Sequence, residues 1–314
     1  MPKVSVIILT YNRSALLRRA VQSVLNQTFG DFEVIVVDDA SVDDTKDVIK
    51  DMTDKRIRYL PHEQNMGEGR ARNTGVANAQ GEYIAFLDDD DEWLPEKLEL
   101  QVSVMEKSEP GIGAVHTGYW RILTDTGEVR ESDARKEGDL WGEFLFGNNL
   151  VHPSSILLRA SCFERLGVFD VSITTGLDYD MWLRVSKEYK FAAINKPLLK
   201  VREHGDRLSS NLELQIQGQT KFFEKWGKWI EADEKNYSRW FVRLGIMYSL
   251  TGQQNEGRKA YMKAMRRYPL HFKSYALLSL SLLGTKAFRS VTKFNESVRL
   301  CWLRDWRGGN NKQI

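Results

Sequence analysis

The chain has 314 residues, of which 42% are hydrophobic and 28% charged, and 45 Lys+Arg against 43 Asp+Glu leave a formal net charge of +2. These values fit one large globular domain or two ordinary ones. They exclude intrinsic disorder, a collagen-like repeat and a dedicated nucleic-acid binder. The most apolar stretch, residues 275–284, is much shorter than the roughly 20 residues a membrane-spanning helix needs. The apolar N-terminus alternates and is β-branched, which predicts a buried strand and not a signal peptide. Cys162 and Cys301 lie far apart with no CxxC spacing, so reduced, buried thiols in a soluble cytoplasmic protein are expected.

In chain order, Val4 to Thr10 reads as a buried strand, and Ser14 can cap a helix with Leu17, Val21, Val24 and Leu25 at helical spacing. Glu33 to Val37 is a second buried strand, and Ser41 and Asp44 resemble a capping box for a helix through Val48, Ile49 and Met52. Arg56 to Leu60 is a shorter strand, Arg72 to Ala79 a helix, and Tyr83 to Leu87 a fourth strand. Apolar strands interleaved with helices predict a parallel sheet covered on both faces, with ligands at the carboxyl ends of its strands. Further strands are expected at Ala114 to Leu123, Ser155 to Leu158 and Phe191 to Val201, and helices at Leu140 to Phe146 and Asp178 to Tyr189. They read as a mixed completion of one α/β domain over 1–210.

Residues 211–314 read as helical. Phe241, Leu244, Gly245, Tyr248, Gly252, Gly257, Tyr261, Ala264 and Pro269 match the spacing of a tetratricopeptide hairpin over 239–271, and Tyr275, Leu278 and Leu282 restart it weakly. Residues 272–314 carry eight Lys/Arg and two acidic residues among apolar positions, which resembles a basic amphipathic helix able to lie on a membrane surface.

The strongest chemical signal is Asp88-Asp89-Asp90-Asp91, directly after an apolar strand. Two carboxylates about 5 Å apart repel by about 3 kcal/mol at an effective dielectric near 20, so such a run must reach water or share a cation. An all-oxygen set suits Mg²⁺ or Mn²⁺. Asp38-Asp39 follows the second strand in the same way and could accept hydrogen bonds from a base or ribose, or cap the next helix. The sequence has no GxGxxG after the first strand, no GxxxxGK[ST] and no GxSxG, which argues against a dinucleotide fold, a P-loop NTPase and a nucleophile-elbow hydrolase.

Two stretches, VSVIILTYNRSALLRRAVQSVLNQTFGDFEVIVVDDASVDDT and NMGEGRARNTGVANAQGEYIAFLDDDDEWLPEKLELQ, together resemble the family 2 glycosyltransferases. The likeness is close over residues 3–105 and looser to about 210. It implies a GT-A-type fold, a Rossmann-like mixed sheet with helices on both faces. It also implies inverting transfer from a UDP- or other nucleotide-sugar with Mn²⁺ or Mg²⁺. Carried over by position, Thr10 and Tyr11 would line the nucleotide pocket, Asp39 would recognise the base with Asp38 beside it, and Arg72 would hold the nucleotide end. Asp90 would be the direct metal ligand, Asp88 or Asp89 would contact ribose or metal through water, and Asp91 would cap a helix.

The same resemblance places the general base at Asp178 in Leu177-Asp178-Tyr179-Asp180-Met181-Trp182-Leu183-Arg184, with Leu177 where Glu is more common and Asp180 as competitor. The stretch from Arg202 to Ser210 resembles the segment that closes the family's site. It offers His204 to the metal or diphosphate and Arg202 or Arg207 to the leaving group. Trp120, Trp141, Phe144 and Phe146 could form an acceptor platform or pack in the core. The expected partners are a nucleotide-sugar and a glycan, lipid-linked or protein acceptor. Peripheral membrane contact through the tail is a further expectation, with no nucleic acid. A sugar-phosphate nucleotidyltransferase and a non-catalytic nucleotide-sugar-binding scaffold stay open as alternatives.

Overall fold

The computed structural model describes residues 1–124, 126–134, 136–145, 151–203 and 211–294. His204, Arg207, Phe146, Cys301 and the tail beyond Phe294 lie outside the described residues. The strands are β1 (Val4–Thr10), β2 (Phe32–Asp38), β3 (Ile57–Pro61), β4 (Tyr83–Asp88), β5 (Glu92–Trp93), β6 (Ile112–Leu123), β7 (Val129–Ser132), β8 (Ile156–Arg159) and β9 (Lys190–Glu203). The helices are α1 (Ser14–Leu25), α2 (Thr45–Lys50), α3 (Glu68–Asn78), α4 (Lys97–Lys107), α5 (Trp141–Leu145), α6 (Ala160–Leu166), α7 (Leu177–Glu188), α8 (Leu212–Ile230), α9 (Glu234–Leu250), α10 (Gln254–Arg267), α11 (Phe272–Leu282) and α12 (Gly284–Phe294).

All nine strands form one sheet in the order β3-β2-β1-β4-β8-β6-β9-β5, with β7 paired to β6. β3, β2, β1 and β4 run parallel, and β8 enters antiparallel between β4 and β6. The sheet is therefore mixed, as its second half led one to expect. Strand alternation separates two cores. Ile7, Ile35, Val37, Ile84 and Phe86 face one side, while Val6, Ile8, Val34, Val36, Ala85 and Leu87 face the other. The second face is covered by α1 through Leu17, Val21 and Val24 and by α4 through Leu98, Val102 and Met105.

The first face is covered by α3, α5, α6 and α7, and the same apolar cluster continues without a break through Phe222 and Trp226 of α8 to Tyr261 and Phe288. The helical region is thus packed onto the sheet domain. Cys162 sits in this core, where burial pushes its thiol up to about 12, so it is an inert packing residue.

α9 and α10 pack together over the residues where a tetratricopeptide-like hairpin was expected. They meet where glycine lets the backbones approach. A Cβ on Gly245 would lie 2.5 Å from the Tyr261 ring, and one on Gly257 would lie 2.6 Å from Ser249 Oγ. Helix propensity alone would favour alanine over glycine by about 1 kcal/mol. The fully buried Tyr261 ring cannot yield, and overpacking costs about 1–3 kcal/mol. Gly245→Ala should therefore lower the midpoint of thermal unfolding; a raised midpoint would contradict the tight hairpin.

Candidate active site

Strand register assembles the site. β1 pairs Thr10 with Asp38 of β2 and Leu9 with Asp88 of β4, so three polar residues end neighbouring parallel strands at one level. The loops after β1 and β2 are tied together: Asn12 N donates to Ser41 Oγ, and Val42 N donates to Asn12 Oδ1, each at 2.8 Å. Both loops carry a non-glycine residue in the left-handed region, Asn12 at φ 52° and Ala40 at φ 68°. Ala40 has no side-chain bond to offset that conformation, which costs on the order of 1–3 kcal/mol and is held by its surroundings. Tyr11, between these loops, is 46% exposed and free to face a ligand.

Asp38 and Asp39 are both buried. Asp38 accepts from Ser41 N at 2.8 Å and from the Tyr59 hydroxyl. Asp39 accepts from Met66 N at 2.8 Å and Gly67 N at 2.7 Å, and His62 Nδ1 lies 2.7 Å from it. Asp39 therefore holds the loop that delivers α3, whichever ligand it also meets. One of its roughly four acceptor directions remains open.

Arg72 is the centre of the acidic side. It projects from α3 and is 2% exposed, so it is not a surface arginine. Its Nε and Nη2 donate to Glu68 Oε1 at 3.0 and 2.8 Å, and Nη2 also donates to Asp88 Oδ1 at 3.1 Å. Its guanidinium lies over the rings of Phe86 and Phe169. Burial opposes its charge, but Glu68, Asp88 and Asp178 outweigh that and keep it protonated.

Asp89 and Asp90 are buried beside Arg13, whose Nη1 lies 3.1 Å from Asp89 Oδ1 and 3.6 Å from Asp90 Oδ2. Burial pushes Asp89 up to about 6, with Asp90 adding to the rise while Arg13 and the Thr10 hydroxyl oppose it. Asp91, expected to cap a helix, turns inward instead and makes no cap. The next helix starts only at Lys97, and Asp91 Oδ2 accepts from Ser154 Oγ at 2.7 Å. Asp88, Asp91 and His152 bring one ligand atom each to within 4.8 Å of one another. Two carboxylates and an imidazole are a fitting donor set for a divalent cation.

Asp88, Asp89 and Asp90, together with Glu68 and Asp178, give five carboxylates around Arg13 and Arg72. That excess of negative charge is the electrostatic condition a cation would relieve.

α7 separates the two candidate bases. Asp180 is fully buried and locked: Arg184 Nε at 3.0 Å, Lys225 Nζ at 2.9 Å and Trp226 Nε1 at 2.8 Å all point at it. It fastens α8 to α7. Asp178, two residues earlier and about 200° around the helix, is half-buried and faces the acidic side. Desolvation pushes its carboxyl up to about 6; Arg72 opposes the rise, and Glu68 and Asp88 add to it.

Other expected residues fall elsewhere. Arg202 donates to Glu92 Oε1 at 2.9 and 2.7 Å, at the edge of the acidic run. Phe144 is core, and Trp141 packs edge-on against Trp226 and Trp229. Sequence reasoning missed Arg13 and His152. Arg13 stood in view in TYNRS at a strand end, where a cation facing an acidic run was a usable signal. His152 meets Asp91 across 61 residues of chain, and nothing local marks it.

The family model of Glycosyl transferase family 2 matches residues 5–165. An uncharacterized glycosyltransferase of Rickettsia bellii (strain RML369-C) is 39% identical over 207 residues, covering 65% of this chain and 29% of that protein. This chain therefore spans about a third of the length of that relative and of a similar Rickettsia felis protein. The Escherichia coli UDP-Glc:alpha-D-GlcNAc-diphosphoundecaprenol beta-1,3-glucosyltransferase WfgD is 32% identical over 212 residues, covering 66% of this chain and 80% of WfgD. Among solved structures, S. aureus TarS 1-349 in complex with UDP-GlcNAc superposes with a TM-score of 0.62 at 17% identity, over 94% of this chain and 92% of that one. The mannosyltransferase PcManGT from Pyrobaculum calidifontis, in complex with GDP-Man and Mn2+, gives 0.54 at 20% identity, over 97% and 87%. At those identities the likeness speaks for the fold.

Breaking a buried, paired carboxylate costs about 3–5 kcal/mol. Asp180→Ala should lose stability of that order in urea unfolding. Asp178→Asn should not be less stable than wild type, because it removes a carboxylate whose ionisation burial opposes. Equal losses would erase the distinction between anchor and site residue.

Proposed function

This chain belongs to glycosyl transferase family 2 and has a GT-A-type fold, and on that premise we propose that it transfers a sugar from a nucleotide-sugar to an acceptor hydroxyl with inversion at the anomeric carbon. The observation that carries the reading is Asp178, half-buried beside Arg72 and Asp88 and pushed up to about 6. Such a carboxylate is ionised at neutral pH yet basic enough to accept a proton in a transition state. In the proposed reaction Asp178 takes the proton of the attacking hydroxyl, and the acceptor oxygen bonds to the anomeric carbon. The bond from that carbon to the donor phosphate oxygen breaks, and a nucleoside diphosphate leaves. One displacement with one base inverts the centre.

Thr10, Tyr11, Asp38, Asp39, Arg72, Asp88 and Asp89 form the donor side in this reading, with exposed Tyr11 toward the base. The donor is taken as a UDP-sugar, because WfgD is named for UDP-Glc and the TarS fragment is bound to UDP-GlcNAc. The acceptor is taken as a sugar hydroxyl of a lipid-linked glycan, following the WfgD name, in assembly of a cell-envelope glycan or polysaccharide. Mn²⁺ or Mg²⁺ would be held directly by Asp90 with Asp88 or Asp89 contacting ribose or metal through water, as the resemblance implies, or by Asp88 with the gathered Asp91 and His152. When bound, the ion offsets diphosphate charge and improves the leaving group. His204 stays a proposed ligand from sequence alone.

Protonation of Asp178 disables the base, so kcat/KM of the wild type should fall about tenfold per pH unit below about 6. Asp178→Asn should cut kcat by about 10²–10⁴-fold, flatten that acid limb and leave UDP affinity unchanged. Loss of UDP binding in parallel would contradict the assignment. Because its folded value lies above that of a free carboxyl, Asp178 also makes the protein more stable as pH falls from about 6 toward the ordinary carboxylate range; Asp89 acts in the same direction, so the trend should be shallower in the Asn variant.

Calorimetric titration of UDP with and without Mn²⁺ tests the donor site. Asp88→Asn should abolish the metal-dependent part of binding; retention of it would remove the cation from the acidic run. Loss in Asp90→Asn reports the set implied by resemblance, and loss in His152→Ala the gathered one.

A further inference from the structure

α11 packs Leu277, Leu278 and Leu280 on the core yet turns a second apolar face outward. Its buried positions are Ser274, Leu277 and Ser281, while Phe272, Tyr275, Ala276, Ser279, Leu282 and Leu283 at its end are exposed. At 100° per residue the six exposed positions fall within an arc of about 120°, so they form one stripe along the whole helix. The stripe carries no charge, and its large members stand far out: Phe272 is 76% exposed, Leu282 65% and Leu283 70%. Leu270, in the turn that enters the helix, adds to the same end at 66%. Scattered surface leucines need no explanation, but a contiguous apolar face on a helix that buries serines does.

The charge around the stripe bears on its partner. Residues 251–294 hold nine lysines and arginines against one acidic residue, Glu256, which is paired with Lys259. Lys263, Arg266 and Arg267 are exposed on the last turns of α10, just before the stripe, and Lys286 and Arg289 are exposed on α12, just after it. An apolar face flanked by basic residues is complementary to anionic headgroups above acyl chains. No helix among the described residues is long and apolar enough to cross a membrane, so this contact lies in the interface plane.

We propose that the outward face of α11, with the basic ends of α10 and α12, docks the protein on an anionic lipid surface. Phe272, Leu282 and Leu283 enter the headgroup–acyl boundary, and the exposed Arg266 and Lys286 face the phosphates, while Arg267 and Arg289 are held by Glu231 O and Leu250 O. The surface is distinct from the acidic site on the sheet and needs no assumption about the reaction.

Flotation of the full chain with vesicles, without substrate, tests it. Vesicles containing one-third phosphatidylglycerol in phosphatidylcholine should carry the protein at low ionic strength, and pure phosphatidylcholine should carry much less. Binding should weaken as salt approaches about 1 M, where the screening length falls to about 3 Å. Phe272→Ser with Leu283→Ser removes exposed side chains only, so circular dichroism should be unchanged while vesicle partition drops about tenfold or more. Lys286→Glu with Arg266→Glu should lower binding to anionic vesicles and leave the weak binding to neutral ones.

Absence of binding to anionic vesicles at low salt overturns the proposal. Wild-type partition in the Phe272/Leu283 double variant also overturns it and assigns the contact to the tail. A wild-type dimer in light scattering that the same variant dissociates, with vesicle binding unmoved, makes the face a contact between copies.

Discussion

The arrangement of the site rests on Arg72, a guanidinium buried at the ends of parallel strands. The strands must be apolar to bury both faces of the sheet, and their carboxyl ends are where backbone and polar side chains first reach solvent. Carboxylates gathered at that edge repel one another, and desolvation strengthens the repulsion. Arg72 binds Glu68 and Asp88 and lies within the field of Asp178, while Arg13 does the corresponding work for Asp89 and Asp90. The balance is deliberately incomplete. Asp89 and Asp178 still rise to about 6, which marks an edge short of positive charge and ready for a ligand that supplies it.

Much of this was readable before any coordinates. The four parallel strands follow from apolar runs punctuated by polar turns, and the acidic pairs follow from their place at strand ends. The register then has little freedom: pairing Thr10 with Asp38 and Leu9 with Asp88 is what two runs of similar length beginning at the same sheet edge must do. α7 was legible for the same reason, through its amphipathic period. Between Asp178 and Asp180 the resemblance alone chose Asp178. Both suit a helix start, and only the packing of α8 shows that Lys225 and Trp226 consume Asp180.

The residues that escaped sequence reading share a cause. His152 and Ser154 meet Asp91 only because β8 inserts antiparallel beside β4, and that connection spans more than sixty residues. Asp91 looked like a cap because a helix was expected soon after the acidic run. The chain instead makes the short strand β5 and begins α4 at Lys97. Tyr275, Leu278 and Leu282 were read as a weakly restarting repeat; Leu278 packs against the core and Leu277 is buried, whereas Tyr275 and Leu282 are exposed. A helical period reports which residues share a face; it does not report whether that face meets protein or something else.

The last point links the two ends of the molecule. Natural sequences keep local choices consistent with burial, and places that break the pattern are where structure has been traded for another purpose. Two such places stand out here. At the sheet edge, Ala40 and Asn12 hold left-handed backbone and buried acids crowd together. At α11, Ser274 and Ser281 are buried while Phe272, Leu282 and Leu283 stand outside. Each would be relieved by the partner proposed for it: a cation and diphosphate at the first, an apolar and anionic surface at the second. The continuous core from the sheet through Phe222 and Trp226 to Phe288 makes the two places parts of one packed body. A lipid surface held by α11 would therefore set the orientation of the acidic edge as well, which is the geometric requirement for acting on an acceptor confined to that surface.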